Sequence, residues 1–205
     1  MTNIVTEIPK EILLIGDAHC KIHQYENILL AHPTLRSYQI GDFGFDREYQ
    51  WWTQKGFPNA HILRGNHDSP QTHPQIYQKW FWHPEVSVFG IAGADSIDKY
   101  RRTEGVDWWR DEELSTREQN EALDAYEGAK PRIMLSHDCP GVIRELIYGI
   151  HDKSPTSNLL NAAFEIHQPQ VWVFGHHHRS RNINWGGTKF ICLAELETLI
   201  LKHEN

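Results

Sequence analysis

Cysteine is scarce. Cys20, Cys139 and Cys192 are the three in 205 residues, and no two of them stand at a zinc-holding spacing. That excludes a disulfide-stapled secreted scaffold and a thiolate zinc module, and it points to a reducing, cytoplasmic compartment. Positive charge is in deficit as well. Twenty Lys and Arg face 27 Asp and Glu, for a formal net charge of −7. A broad nucleic-acid-binding surface needs clustered cations, so none is expected. No apolar run approaches the roughly 20 residues that span a bilayer. The opening MTNIVTEIPKE lacks the charged-then-apolar layout of a signal peptide. Internal repeats and low-complexity stretches are absent, and residues 1–205 read as one domain with enough chain for a sizeable core.

What is abundant is histidine, at 14, and tryptophan, at 8. The informative stretch is Val171-Trp172-Val173-Phe174-Gly175-His176-His177-His178. Four apolar residues read as a strand buried on both faces, and Gly175 permits a sharp turn at its end. The carboxyl ends of strands in open α/β sheets are where ligands bind. Alternation by two predicts that His176 and His178 point one way and His177 another. Taken alone, three histidines suit a solvated loop equally well. The weight comes from repetition, because the same layout occurs at four other strand ends.

In chain order, 12–15 is a strand closed by Gly16, with Asp17 and His19 after it. A helix over 23–32 follows and stops at Pro33. Strand 38–40 leads to Gly41-Asp42, helix 47–55 stops at Gly56, and strand 60–63 leads to Arg64-Gly65-Asn66-His67-Asp68. Residues 86–89 and 91–92 read as a hairpin around Gly90. The polar excursion 93–114 is long for a compact domain and reads as functional or as a lid, with Trp108 and Trp109 available to anchor it. Ser115 with Glu118 signals a capped helix to about Tyr126. Strand 133–135 leads to Ser136-His137-Asp138, and helices cover 142–148 and 156–167. Strands over 182–185, 189–193 and 196–201 close the chain, with Gly186-Gly187 as a hairpin turn. Helices alternate with strands in some stretches and pure strands fill others, which predicts an α/β protein of two packed sheets.

Five strand ends thus carry Asp17, His19, Asp42, Asn66, His67, His137, His176 and His178. Carboxylates, imidazoles and one amide, without cysteine, suit Mn²⁺, Fe or Zn²⁺ at a catalytic centre. The number of ligands exceeds one ion's need and fits two ions sharing a carboxylate. Two ions roughly 3.5–4 Å apart stabilise both oxygens of a displacement at phosphorus and lower the pKa of a shared water. A small phosphorylated substrate is compatible with the acidic net charge.

The motifs Gly16-Asp17-Ala18-His19, Gly41-Asp42, Gly65-Asn66-His67-Asp68, Ser136-His137 and Gly175-His176-His177-His178, in this order, resemble those of the calcineurin-like metallophosphoesterase superfamily. The resemblance implies a four-layer α/β/β/α sandwich of two mixed sheets flanked by helices. It implies a phosphoesterase acting on a monoester or diester by attack of a hydroxide that bridges two divalent metal ions, Mn²⁺ foremost. By position, Asp17, His19 and His178 correspond to ligands of the first ion. Asn66, His137 and His176 correspond to ligands of the second, and Asp42 to the bridge. His67 corresponds to the general acid, oriented by Asp68.

Two departures matter. Protein-phosphatase members carry Gly-Asp-x-x-Asp-Arg-Gly, whereas Gly41-Asp42-Phe43-Gly44-Phe45-Asp46-Arg47 is one residue longer and lacks the last glycine. Arg47 is therefore one candidate phosphate clamp among several, with Arg64, Arg101 and Arg102. Cys20 stands where many members have glycine and reads as a packed small hydrophobe in preference to an oxidisable thiol beside the metals. The competing readings are a nuclease of the same fold, disfavoured by the charge, and a non-catalytic metal-binding scaffold, disfavoured by the presence of His67 and every ligand position.

Overall fold

The computed structural model describes residues 11–69, 76–77, 79–151 and 153–202. The opening segment read above for a leader lies mostly outside them. The elements are β1 (Glu11–Ile15), α1 (Ile22–Ala31), β2 (Arg36–Gln39), α2 (Asp46–Lys55), β3 (Ala60–Leu63), β4 (Ile76–Tyr77), β5 (Trp80–His83), β6 (Val88–Ile91), α3 (Thr116–Ala129), β7 (Ile133–Ser136), α4 (Gly141–Tyr148), α5 (Pro155–Ile166), β8 (Val171–Phe174), β9 (Arg181–Trp185), β10 (Thr188–Cys192) and β11 (Thr198–Lys202).

They form two mixed sheets, ordered β11-β1-β2-β3-β4 and β5-β6-β7-β8-β10-β9. The strand period explains the layering. On β1, Ile12 and Leu14 face inward and share a core with Tyr38, Leu135 and Val173 between the sheets. Leu13 and Ile15 face outward, against Tyr25 and Leu29 of α1 and Tyr49 and Trp52 of α2. On β8, Val173 faces inward while Trp172 and Phe174 pack against Tyr126 of α3 and Leu160 and Phe164 of α5. Each such side chain contributes roughly 1.5–3 kcal/mol by burial. A one-residue slip of β1 would merely exchange two apolar sets, so register rests on the backbone pairing of β1 with both β2 and β11. The result is helices, sheet, sheet, helices: the expected α/β/β/α sandwich.

Three details depart from the expectation. Gly90 is the middle of β6, not a turn, because the ring of Phe81 occupies the space where its side chain would project. The antiparallel partner of β6 is β5, and the reversal lies at Pro84–Ser87, where Ser87 takes φ 52°. The last strand does not extend the β9–β10 hairpin. β11 crosses to the other sheet and pairs antiparallel with β1. The Gly186-Gly187 turn and the Ser115–Glu118 cap form as expected, with φ 55° and 84° at the two glycines and Ser115 N–H donating to Glu118 at 3.0 Å.

Candidate metal centre

Parallel strands from both sheets end at one edge. β1, β2 and β3 deliver Asp17, His19, Asp42 and Asn66; β7 and β8 deliver His137, His176 and His178. Two groups result. The ligand atoms of Asp17, His19, Asp42 and His178 lie within 4.8 Å of one another, as do those of Asp42, His137 and His176. Asp42 belongs to both.

The local backbone differs from the extended alternation expected after β1 and β8. His19, Asp42, His176 and His178 adopt φ of 43°, 53°, 65° and 53°. Side chains rarely occupy this left-handed region, and such strain concentrates where a site over-determines the backbone. The tight turns fold each ligand back over its strand end. A side chain at Gly65 or Gly175 would overlap the carboxylate of Asp42 or Asp17, so both positions need close backbone approach. Cys20 also has φ 64°, a glycine-type conformation, and it is half-buried beside His19 rather than enclosed.

Within the first group, His178 Nε2 is 3.1 Å from Asp17 Oδ2 and 2.8 Å from His19 Nε2. Within the second, His137 Nδ1–H donates to the carbonyl of Ile40 at 2.8 Å, which leaves Nε2 as an acceptor. That nitrogen faces Asn66 Oδ1 at 3.0 Å and Asp42 Oδ1 at 3.3 Å. With Nε2 unprotonated, three lone-pair atoms converge here, and either a proton on Nε2 or a cation in its place satisfies the arrangement. Asp17 and Asp42 are buried and held below the usual carboxylate range. Burial is the largest single influence and opposes this. It is outweighed only by several groups together: the His137 charge with bonds from His178 and His19 at Asp17, and the charge and bond of His137 with the charges of His67 and His176 at Asp42. Burial would likewise depress His137, but Asp42 and Asp17 lift it to about 10. Burial takes His176 down to about 4, which favours the neutral, ligating imidazole. The donor set fits divalent cations.

A buried chain fixes the Asn66 amide. Its Nδ2 donates to Ser96 Oγ at 2.9 Å, and that hydroxyl donates to Glu112 Oε2 at 2.5 Å while Ser96 N–H donates to Oε1 at 2.9 Å. The single hydroxyl proton is committed to Glu112, so Asn66 must present its NH₂ to Ser96 and its oxygen to the cluster. In Glu112→Gln the new amide would donate to Ser96, and Asn66 would have to flip. Outer partners of this kind are worth about 10–100-fold in metal affinity. Mn²⁺ calorimetry should show the second ion weakened by that factor and the first unchanged; two unaltered sites would refute the relay. Neither Ser96 nor Glu112 carries a sequence signal within the aperiodic 93–114 stretch.

Residues 10–180 match the calcineurin-like phosphoesterase family. The chain belongs to that family. Among curated proteins, none matches it by sequence. Solved structures similar to it include a dimetal phosphatase from Danio rerio, at 11% identity and TM-score 0.59, covering 90% of this chain and 88% of that one. The phosphopantetheinyl hydrolase PptH from Mycobacterium tuberculosis is 15% identical, with TM-score 0.45 and coverage of 91% and 90%.

Around this phosphoesterase's clustered ligands, the remaining expected residues divide. His67 stands at the rim, its Nε2 4.0 Å from Asp42 Oδ2, with its backbone N–H donating to Asp42 Oδ1 at 2.8 Å. Asp68 does not orient it. Its buried carboxylate accepts from Gly44 N–H at 3.1 Å and Gly65 N–H at 2.8 Å, pinning the loops after β2 and β3 together, and burial raises it to about 6. What lies against His67 is Arg102, whose Nη1 and Nη2 are 3.1 and 3.3 Å from the two ring nitrogens. Asp98 holds that guanidinium from behind at 2.7 and 2.8 Å.

Arg102 is thus the loop arginine that lines the cleft. Arg101, one residue earlier on a 3-10 turn, is exposed and lies over Tyr100. Arg64 is buried and donates to the carbonyls of Asp111 and Glu112 at 2.7 and 3.2 Å, so it straps the 93–114 excursion to the body rather than clamping phosphate. Trp109 adds to the strap, buried beside Phe45. Arg47 is exposed in the first turn of α2 and does not line the cleft. His177 belongs to neither ligand group; it lies 3.3 Å from Asp138 Oδ1, with its ring against Tyr148 and edge-on to His176. Asp138, Cys139 and His177 form a third cluster, and because Arg144 neutralises Asp138 that cluster supports the turn. Among the described residues no helix is long and apolar enough to cross a membrane.

Proposed function

We propose that this chain is a dinuclear metal-dependent phosphoesterase that cleaves a small phosphomonoester or phosphodiester in a reducing, cytoplasmic setting. The observation that carries the reading is the convergence of acceptor atoms from five strand ends, with His137 Nε2, Asn66 Oδ1 and Asp42 Oδ1 facing one another. Asp17, His19 and His178 would hold one ion and Asn66, His137 and His176 the other, with Asp42 shared between them. Mixed oxygen and nitrogen donors suit Mn²⁺, with Fe and Zn²⁺ also matched. When bound, two such ions offset the charge developing on the phosphoryl oxygens and acidify an attacking water.

The chain's own groups do the rest. His67, at the rim, hands its proton to the departing oxygen. Burial and the neighbouring Arg102 charge hold its pKa below the ordinary imidazole value, so the proton is released readily. Arg102, preset by Asp98, meets a phosphoryl oxygen with charge-assisted hydrogen bonds. The test is turnover of p-nitrophenyl phosphate and bis(p-nitrophenyl) phosphate by protein reconstituted with Mn²⁺. Metal-dependent release of nitrophenolate, abolished by a chelator, is expected. Failure on both esters across Mn²⁺, Zn²⁺ and Fe²⁺ would leave the scaffold reading in its place.

A further inference from the structure

The cleft over the clustered ligands is larger than the reaction at phosphorus requires. Its volume is about 590 Å³, within the roughly 300–1,000 Å³ of cavities that enclose whole small molecules. Its lining also changes character away from the ligand groups. The end of α4 and the turn after it contribute Ile147, Tyr148 and Ile150, of which Ile150 is 52% exposed. Such side chains gain by being covered, whereas a bare phosphate would leave them wet.

The arginines in the same cleft fall into two kinds. Arg102 and Arg144 are each neutralised by a carboxylate of their own, Asp98 and Asp138. Arg179 and Arg181 line the cleft too, yet among the described residues neither is paired with a carboxylate. Among the described residues, Arg181 Nη1 donates only to the neighbouring carbonyl of Ser180, at 3.0 Å. Two uncompensated cations at the mouth of a cleft, in a chain of net charge −7, concentrate positive potential where a ligand enters. Arg181 opens β9 three residues after His178, so its Cα lies at most about 11 Å from that of His178.

We propose that the substrate carries two anionic groups: the ester phosphate over the clustered ligands, and a second anion received by Arg179 and Arg181. An apolar or aromatic body joins them and rests on Ile147, Tyr148 and Ile150. This deepens the phosphoesterase reading and rests on it. The substrate class is a bis-anionic organic phosphate with a flat or greasy centre, rather than a sugar phosphate or a free phosphate.

The experiment compares 2-naphthyl phosphate with its analogues bearing a carboxylate or a phosphonate at C6, each as the monoester and the methyl diester, on the Mn²⁺-loaded protein. A second anion is expected to raise kcat/KM by about tenfold, through KM, as one charge-assisted contact would. The larger response, to carboxylate or to phosphonate, identifies which anion the arginines take. Arg181→Ala should bring the ratio between paired substrates toward one, and Arg181→Glu should invert it, which a merely structural role would not do. Equal kcat/KM for plain and bis-anionic esters, or a preference indifferent to both variants, would overturn the inference. The corresponding naphthyl phosphonates, followed by naphthyl fluorescence, report binding without turnover. An arginine-dependent preference there, with no hydrolysis of any ester, would keep this subsite and remove only the phosphoesterase reading.

Discussion

Asp42→Asn is expected to slow hydrolysis of p-nitrophenyl phosphate by on the order of 10³-fold, the several kcal/mol that a metal pair supplies to a transition state. The reason is position. Asp42 is the one residue common to both groups of clustered ligands, with Oδ2 3.9 Å from His19 Nε2 and Oδ1 3.3 Å from His137 Nε2. Asparagine keeps the shape and keeps an oxygen to accept the His67 N–H, so the loop after β3 has no cause to move. Calorimetry with Mn²⁺ should show two ions reduced to at most one. A second readout needs no metal. Burial favours neutral His137, and Asp42 is the first charge opposing it, so the metal-free variant should titrate His137 well below the about 10 of the parent. The sign fixes a pH dependence. In the metal-free parent His137 keeps its proton below that value, metal must displace it, and loading therefore weakens as pH falls. A variant with two ions and parental turnover would remove Asp42 from its bridging role.

The clustered ligands were the most legible part of the chain for a physical reason. A strand buried on both faces must be apolar throughout, so Ile12–Ile15 and Val171–Phe174 stand out, and polar residues immediately after them have no packing task to explain them. Contacts made by loops carry no such period. Nothing in the sequence distinguishes Arg101 from Arg102; a 3-10 turn of three residues and the Asp98 carboxylate decide which one faces the cleft. Arg64 sits beside a ligand motif and still points to backbone carbonyls of a segment 47 residues away. Gly90 resembles a turn residue, and its reason is the Phe81 ring on the neighbouring strand, which is tertiary information. Spacing also misled in detail. Asp17 and His19 converge, as do His176 and His178, through left-handed turns rather than extended alternation, because glycines beside the strand ends let the loops close tightly.

His67→Ala should lower turnover by about 10²–10⁴-fold for esters with poor leaving groups, the usual worth of a positioned general acid. The loss should shrink toward p-nitrophenyl phosphate, whose leaving phenolate is stable without a proton. This graded loss separates the roles that His67's location would permit. Its ring is 5.8 Å from that of His19, close enough to serve the same reaction, yet it belongs to neither group of clustered ligands. If it is the acid, the dependence of rate on leaving-group pKa steepens in the variant while two Mn²⁺ still bind. If it were a ligand, metal stoichiometry would fall. If it only helped Arg102 grip phosphate, every ester would lose equally and the slope would stay parental. The pH profile gives the same division. Protonated His67 is the active form, and burial with the Arg102 charge already holds its pKa below the ordinary value. Bound cations would lower it further. For poor leaving groups the parent's rate should therefore fall as pH rises through that lowered pKa, and the alanine variant should lack this alkaline limb.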